Sequence, residues 1–460
     1  MLDERIKREL RAIVGEENYS DSLIDMISYS YDAMGSKGKP DCAVWVESAE
    51  QVSEILKIAN REGFPVTPRA AGTGICGMAV PVRGGLVMDV MKMNRVLEIS
   101  IEDRVAVVQP GLVYADLQKK LAPLGFTLPT EPGSSIASTI GGNVATNAGG
   151  VKGAKYGVTK DYVLALEVVL ADGRIMRTGT RTMKTSSGYD LTHLFVGSEG
   201  TLGVVTEITL KIHPLPQATT TVMGLFDKLE EAGRAVSQVM SSGVIPSVME
   251  VMGRHLLEAI NQNTNLNLPV VETMLLVETD GYTQAEADAQ MAKVVEIFKK
   301  NNSFEIKWAK TARERDDLWT ARKSTYPVSA RINNNLIVED VTVPMSKLPD
   351  LFRGFEEIID KYSLVVAMCA HAGDGNFHPL VAYNASDHEE AERVERAMDE
   401  LFRLAIGLGG TLTGEHGIGL VKARYMSLEH DPVALDLMRT LKKTLDPNNI
   451  LNPGKMALEA

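Results

Sequence analysis

Two imidazoles flank a turn in CAHAGDGNFHPLVAY, residues 369–383. An apolar run, LVVAMCA, feeds into this stretch and a second apolar segment leaves it. Between them Asp374-Gly375 is a dipeptide that favours a tight hairpin turn. Paired arms would bring His371 and His378 close enough to share a metal ion or a substrate oxygen, which is work that imidazole does near neutral pH. Taken alone, a hairpin with two histidines fits a structural turn as well as it fits a site. A second constellation, GTLTGEHGIG, sets Glu415 and His416 in a glycine-rich loop. Four ligands or bases then come from two loops.

Three further stretches offer backbone rather than side chains. PRAAGTGICG, from Pro68 to Gly77, presents N–H groups without bulk, which suits close approach by a diphosphate. It lacks the Lys-Ser/Thr ending of a P-loop and does not match GxGxxG, so neither ATP nor a Rossmann dinucleotide is expected. Residues 131–150, EPGSSIASTIGGNVATNAGG, are crowded with small residues, so that a flat ligand could lie against the backbone; small residues also permit tight packing of helices or sheets. GSEGTLG, followed by an alternating strand, adds a third such loop.

The elements that position these loops follow from periodicity. Residues 1–35 read as a helical lead-in. CAVWVE reads as a strand, AEQVSEILKIANREG as an amphipathic helix and PVTPRAAGTG as a strand ending in the first glycine loop. Strands continue to residue 216, where Pro214 and Pro216 break the pattern and a domain boundary is expected. Strand and long helix then alternate to about residue 425, which implies a sheet covered on one face by helices. A helix and a proline-punctuated tail occupy 426–460.

Composition sets the bounds. A chain of 460 residues is too long for one core and suits two or three domains. The formal net charge of -12 argues against general nucleic-acid binding. No run of eighteen apolar residues occurs and MLDERIKREL has no apolar h-region, so no transmembrane segment and a cytoplasmic location are expected. Cys42, Cys76 and Cys369 are far apart with no CxxC pair, which speaks against an iron-sulfur cluster held by this chain. Electrons from any redox reaction would leave through another protein.

PRAAGTG, EPGSSIASTIGGNVATNAGG, GSEGTLGVVTEITL, HAGDGNFH, GEHGIG and LDPNNILNPGK together resemble the FAD-linked D-2-hydroxyacid dehydrogenases. That family includes flavin D-lactate dehydrogenases, the flavin subunit of glycolate oxidase and D-2-hydroxyglutarate dehydrogenase, and the resemblance spans nearly the whole chain. It implies an α+β fold: a two-subdomain FAD-binding domain of the vanillyl-alcohol oxidase type over 36–216, an α+β cap over 217–425, and a C-terminal segment that returns to the FAD domain. By the same resemblance Arg69, Ala70, Ala71, Gly72, Thr73, Gly74 and Gly77 would follow the diphosphate. Pro132, Gly133, Ser134, Thr139, Gly142, Asn143, Ala145, Asn147, Gly149 and Gly150 would form the second cofactor-binding stretch, with Gly157, Glu199, Gly200, Gly203, Val205 and Asn452 nearby. Covalent members attach FAD through His or Cys; here Ala70 and Ala71 follow Arg69, which implies non-covalent FAD.

In metal-containing members the residues that match His371, His378 and Glu415 are ligands of a divalent metal, and the one that matches His416 is the neighbouring base. Two imidazoles and a carboxylate suit zinc, with Mn and Fe as alternatives. Arg322, in LWTARKS, matches the family's arginine for the substrate carboxylate. The hydroxyglutarate enzymes carry a lysine for a second carboxylate between that arginine and the strand end at Pro344, whereas residues 332–343 contain no basic residue. An unpaired buried charge is costly, so a small monocarboxylate is expected, D-lactate before glycolate. The implied partner is an electron-transfer flavoprotein or an iron-sulfur subunit. A non-catalytic flavin-binding subunit is the reading from a different class, set against by the His/Glu constellation.

Overall fold

The computed structural model describes residues 2–309 and 311–459. The chain divides into two compact units, one of residues 1–149, 158–215 and 415–460, the other of residues 150–157 and 216–414. These spans differ from the expected ones in two places. Residues 150–157 group with the second unit because Lys155 and Tyr156 both reach the buried carboxylate of Asp280, the tyrosine hydroxyl at 2.6 Å. The return to the first unit begins at Glu415, ahead of the helix Pro432–Leu445.

The first unit holds two larger sheets and a two-stranded pair, Phe126–Thr127 with His213–Pro214. Strands Cys42–Trp45 and Val66–Arg69 both pair in parallel with Leu86–Asp89, which lies between them. The helix Ala49–Glu62 joins the first two. Ser48 caps its start by accepting from the Gln51 N–H, Gly63 ends it in the left-handed region, and Val52, Ile55, Leu56 and Ala59 form its buried stripe. The expected helical lead-in is only partly helical: after the helix Glu4–Val14, Tyr19–Ser20 form an edge strand paired with Val44 and Ala43. The second sheet is antiparallel and five-stranded, in the order 96–100, 105–108, 204–211, 163–169, 175–179. The two larger sheets pack on two buried apolar clusters.

The tail lies beside the strand that delivers the first glycine loop. Val66 N–H donates to Ile450 O at 2.7 Å and Asn452 N–H to Val66 O at 2.8 Å.

The second unit is built on an eight-stranded sheet in which Val248–Gly253, Val366–His371 and Asn376–Tyr383 are consecutive neighbours, all antiparallel. The expected cover on one face is corrected: helices pack on both. Met223, Leu225, Met252 and Cys369 join a cluster with Leu256, Leu257 and Ile260 of one helix, Ala321 of a second and Val328 of a third. On the opposite side Phe377 meets Phe352 and Phe355 edge-on, at 5.5 and 4.9 Å between ring centroids. The reason is in the strand TMLLVETD, where every residue from Thr273 to Asp280 is buried and residues 274–277 are apolar without alternation; such a run belongs to a strand covered on both faces.

Candidate active site

The hairpin forms as its residue pattern requires. In the register of its two strands Cys369 faces His378 and His371 faces Asn376, with Ala372–Gly375 as the connection. Gly375 has φ +80° and a Cβ there would sit 2.2 Å from Val343 O, so the turn needs glycine twice over. Side chains two apart on a strand share a face, which puts His371, Cys369 and His378 on one side of the sheet. The two imidazole centroids are 5.0 Å apart, edge to face.

Each ring is fixed through Nδ1. His378 Nδ1 lies 3.1 Å from Glu339 O, a backbone acceptor, so it carries the proton and leaves the lone pair on Nε2. His371 Nδ1 lies 2.5 Å from Glu250 Oε1. Glu250 lies outside every motif read from the sequence. It stands directly across from His371 in the sheet register and is fully buried. Its other oxygen accepts from Arg322 Nε at 2.5 Å. Burial pushes the Glu250 carboxyl upward, but Arg322 and His371 outweigh that and hold it below the usual carboxylate range. The one available signal was an acid in the apolar strand VMEVMG, where an unpaired charge would be very costly.

Arg322 closes the helix Ala312–Lys323, which also aims Arg315 at Thr219 Oγ1 (2.8 Å) and Trp319 Nε1 at Glu278 (3.2 Å). The spacing of 315, 319 and 322 is one face of a helix laid on the sheet.

Glu415 follows Gly414, the last residue of the second unit. Asp340, fully buried, accepts from Gly414 N–H at 3.0 Å and from Thr413 Oγ1 at 2.5 Å. One ligand atom from each of His371, His378 and Glu415 lies within 4.8 Å of the other two. Two imidazoles, each fixed at its other nitrogen, and one carboxylate fit a divalent metal by number and chemistry. His416 Nε2 is 4.0 Å from Glu415 Oε1.

Within the first unit the glycine regions meet. Asn452 Nδ2 donates to Met78 O at 2.8 Å and to Glu199 O at 2.7 Å, tying the first loop, the 197–203 turn and the tail together. Glu199 N–H reaches Ala145 O at 2.8 Å, which draws in the second region. That region is not extended throughout: Ile140–Thr146 is a helix capped by Thr139, with Gly142 N–H on its hydroxyl. At Gly149 a Cβ would lie 2.9 Å from Glu415 Oε2, so the small residue there admits the loop that carries the acid. Glu199 itself is buried and accepts from the N–H groups of Ile418 (2.7 Å) and Gly419 (2.9 Å). Burial pushes its carboxyl up to about 7 against those bonds and the nearby Lys455. Burial pushes the Lys455 ammonium down to about 8.

The first loop fits an anionic cofactor. Among the described residues the N–H groups of Ala71, Gly72, Thr73 and Gly74 donate to no protein acceptor, so they are available to phosphate oxygens.

The two larger sheets of the first unit and the large antiparallel sheet of the second make an α+β fold of the vanillyl-alcohol oxidase type. It is similar to p-cresol methylhydroxylase with substrate bound, with a TM-score of 0.81 over 98% of this chain and 96% of that one at 21% identity. Residues 40–179 match the FAD binding domain family, and residues 215–456 match the C-terminal domain of the FAD linked oxidases. The chain belongs to the FAD-linked oxidases and is an FAD-linked oxidoreductase of the glycolate oxidase and D-lactate dehydrogenase type. It is 40% identical to the glycolate oxidase subunit GlcD of Bacillus subtilis over 99% of this chain and 97% of that protein. It is 34% identical to a D-lactate dehydrogenase of Anaerostipes hadrus over 97% and 94%. No helix among the described residues is long and apolar enough to cross a membrane.

Proposed function

We propose that this protein oxidises a small D-2-hydroxy monocarboxylate, D-lactate first, to the 2-oxo acid, with non-covalent FAD and a divalent metal, zinc favoured. The observation that carries this reading is the convergence of His371, His378 and Glu415, whose ligand atoms lie within 4.8 Å of one another. When bound, FAD supplies the hydride acceptor at N5 and the metal lowers the pKa of the substrate hydroxyl.

The chain's own residues do the rest. His371, His378 and Glu415 would hold the metal. His416 takes the hydroxyl proton as general base, and the Arg322 fork grips the substrate carboxylate. Arg69 and the loop to Gly77, the stretch from Pro132 to Gly150, Gly157, Glu199, Gly200, Gly203, Val205 and Asn452 would line the FAD site. Ala70 and Ala71 offer no attachment atom, which supports non-covalent binding; acid precipitation should leave the flavin in the supernatant. An external electron-transfer flavoprotein or iron-sulfur subunit takes the electrons.

Glycolate is the second reading, favoured by the 40% identity to a glycolate oxidase subunit. Both readings are tested by mixing the purified protein anaerobically with D-lactate, L-lactate, glycolate and D-2-hydroxyglutarate. D-lactate is expected to bleach the flavin fastest, and failure to do so would overturn the substrate assignment. Faster bleaching by glycolate would establish the second reading.

A further inference from the structure

Glu250 does more than neutralise Arg322. It is the direct cross-strand partner of His371, so the sheet register aims its carboxylate at the ring. Its two oxygens divide their work, Oε1 to His371 Nδ1 and Oε2 to Arg322 Nε, each at 2.5 Å. Its strand neighbour Met252 on the same face belongs to an apolar cluster, where a hydrophobic side chain would pack without a desolvation cost. The two histidines are also treated differently: His378 Nδ1 meets a neutral backbone carbonyl, while His371 Nδ1 meets a charged carboxylate. A carboxylate on the far nitrogen fixes the ring's tautomer and raises the basicity of the nitrogen that faces a metal.

We infer that Glu250 is a positioning residue that orients His371 toward the metal and Arg322 toward the substrate carboxylate at once, so that metal affinity and substrate affinity depend on one buried acid. This rests on the proposed function. A purely structural Glu250 would affect only folding stability.

The test is zinc affinity, measured by competition with a chromophoric chelator on FAD-loaded wild type, Glu250→Gln and Glu250→Asp, alongside KM and kcat for D-lactate. Glu250→Gln keeps the shape and removes the charge. It is expected to weaken zinc binding about 10- to 100-fold and to raise KM as well as lower kcat. Glu250→Asp keeps the charge and is expected to fall between the two. Zinc affinity in Glu250→Gln within about twofold of wild type would overturn the inference. If Glu250→Gln does not fold with FAD bound, Glu250→Asp decides in its place, and wild-type zinc affinity in that variant would overturn the inference equally. Absence of zinc binding by the wild type would overturn the inference together with the metal reading, and that failure shows in the wild-type arm alone.

Discussion

Two buried glutamates, one in each unit, show opposite ways of holding a carboxyl away from water. Glu250 sits between Arg322 and His371 and is held in its charged form, below the usual carboxylate range. Glu199 is also buried, but its short contacts are the neutral N–H groups of Ile418 and Gly419, and its carboxyl is pushed up to about 7. Burial raises both; at Glu250 the opposite charges in contact reverse it, whereas at Glu199 the two N–H groups do not. The charge of Glu250 is therefore a fixed feature of its site, whereas that of Glu199 changes within the neutral pH range.

The largest expected effect comes from removing the fixed charge. Glu250→Ala leaves Arg322 and His371 facing a vacated acid position in a buried site, and a loss of about 3–5 kcal/mol is expected in urea unfolding. A loss below about 1 kcal/mol would show that the pair is solvated in practice and would erase the contrast.

The second effect is a pH dependence with a definite sign. Glu199 binds its proton more tightly folded than unfolded, so its contribution to stability is complete below the unfolded value of 4.5 and is lost as pH rises through about 7. The loss amounts to roughly 3 kcal/mol. Lys455, held low at about 8, acts in the other direction and in a higher window: its contribution is present above 10.5 and lost as pH falls through about 8. Unfolding measured at about pH 5 and about pH 7.5 should show the Glu199 slope in the wild type and a flatter profile in Glu199→Gln. Equal slopes would mean that Glu199 is charged throughout.

The smallest effect expected is at Asn452. Its amide joins Met78 and Glu199 through two neutral hydrogen bonds, so Asn452→Ala should cost about 2 kcal/mol and lower FAD retention on gel filtration.

The site was legible in the sequence where chemistry and local spacing coincide. The histidine hairpin needed only an Asp-Gly turn between two apolar arms, and the glycine loops announced themselves by composition. Glu250 was not legible because its partner His371 is 121 residues away, brought opposite by strands that are neighbours in the sheet but not in the chain. Periodicity carries no information about such a crossover. Asp340 was hidden for a similar reason: its partners Thr413 and Gly414 lie more than 70 residues on. The helix Ile140–Thr146 was obscured by its glycines, which weaken helix propensity but leave the Thr139 cap intact. The second layer of helices on the large sheet could have been read from the apolar run MLLV, residues 274–277, which does not alternate.

The proposed role of His371, His378 and Glu415 is to hold a metal on which turnover depends. It is tested most directly by flavin reduction with D-lactate, measured anaerobically before chelation, after chelation, and after zinc is restored. Rapid bleaching is expected first, then loss of bleaching with FAD still bound, then recovery, with no recovery in His378→Ala. Bleaching at the original rate in the chelated protein and in His378→Ala would contradict it.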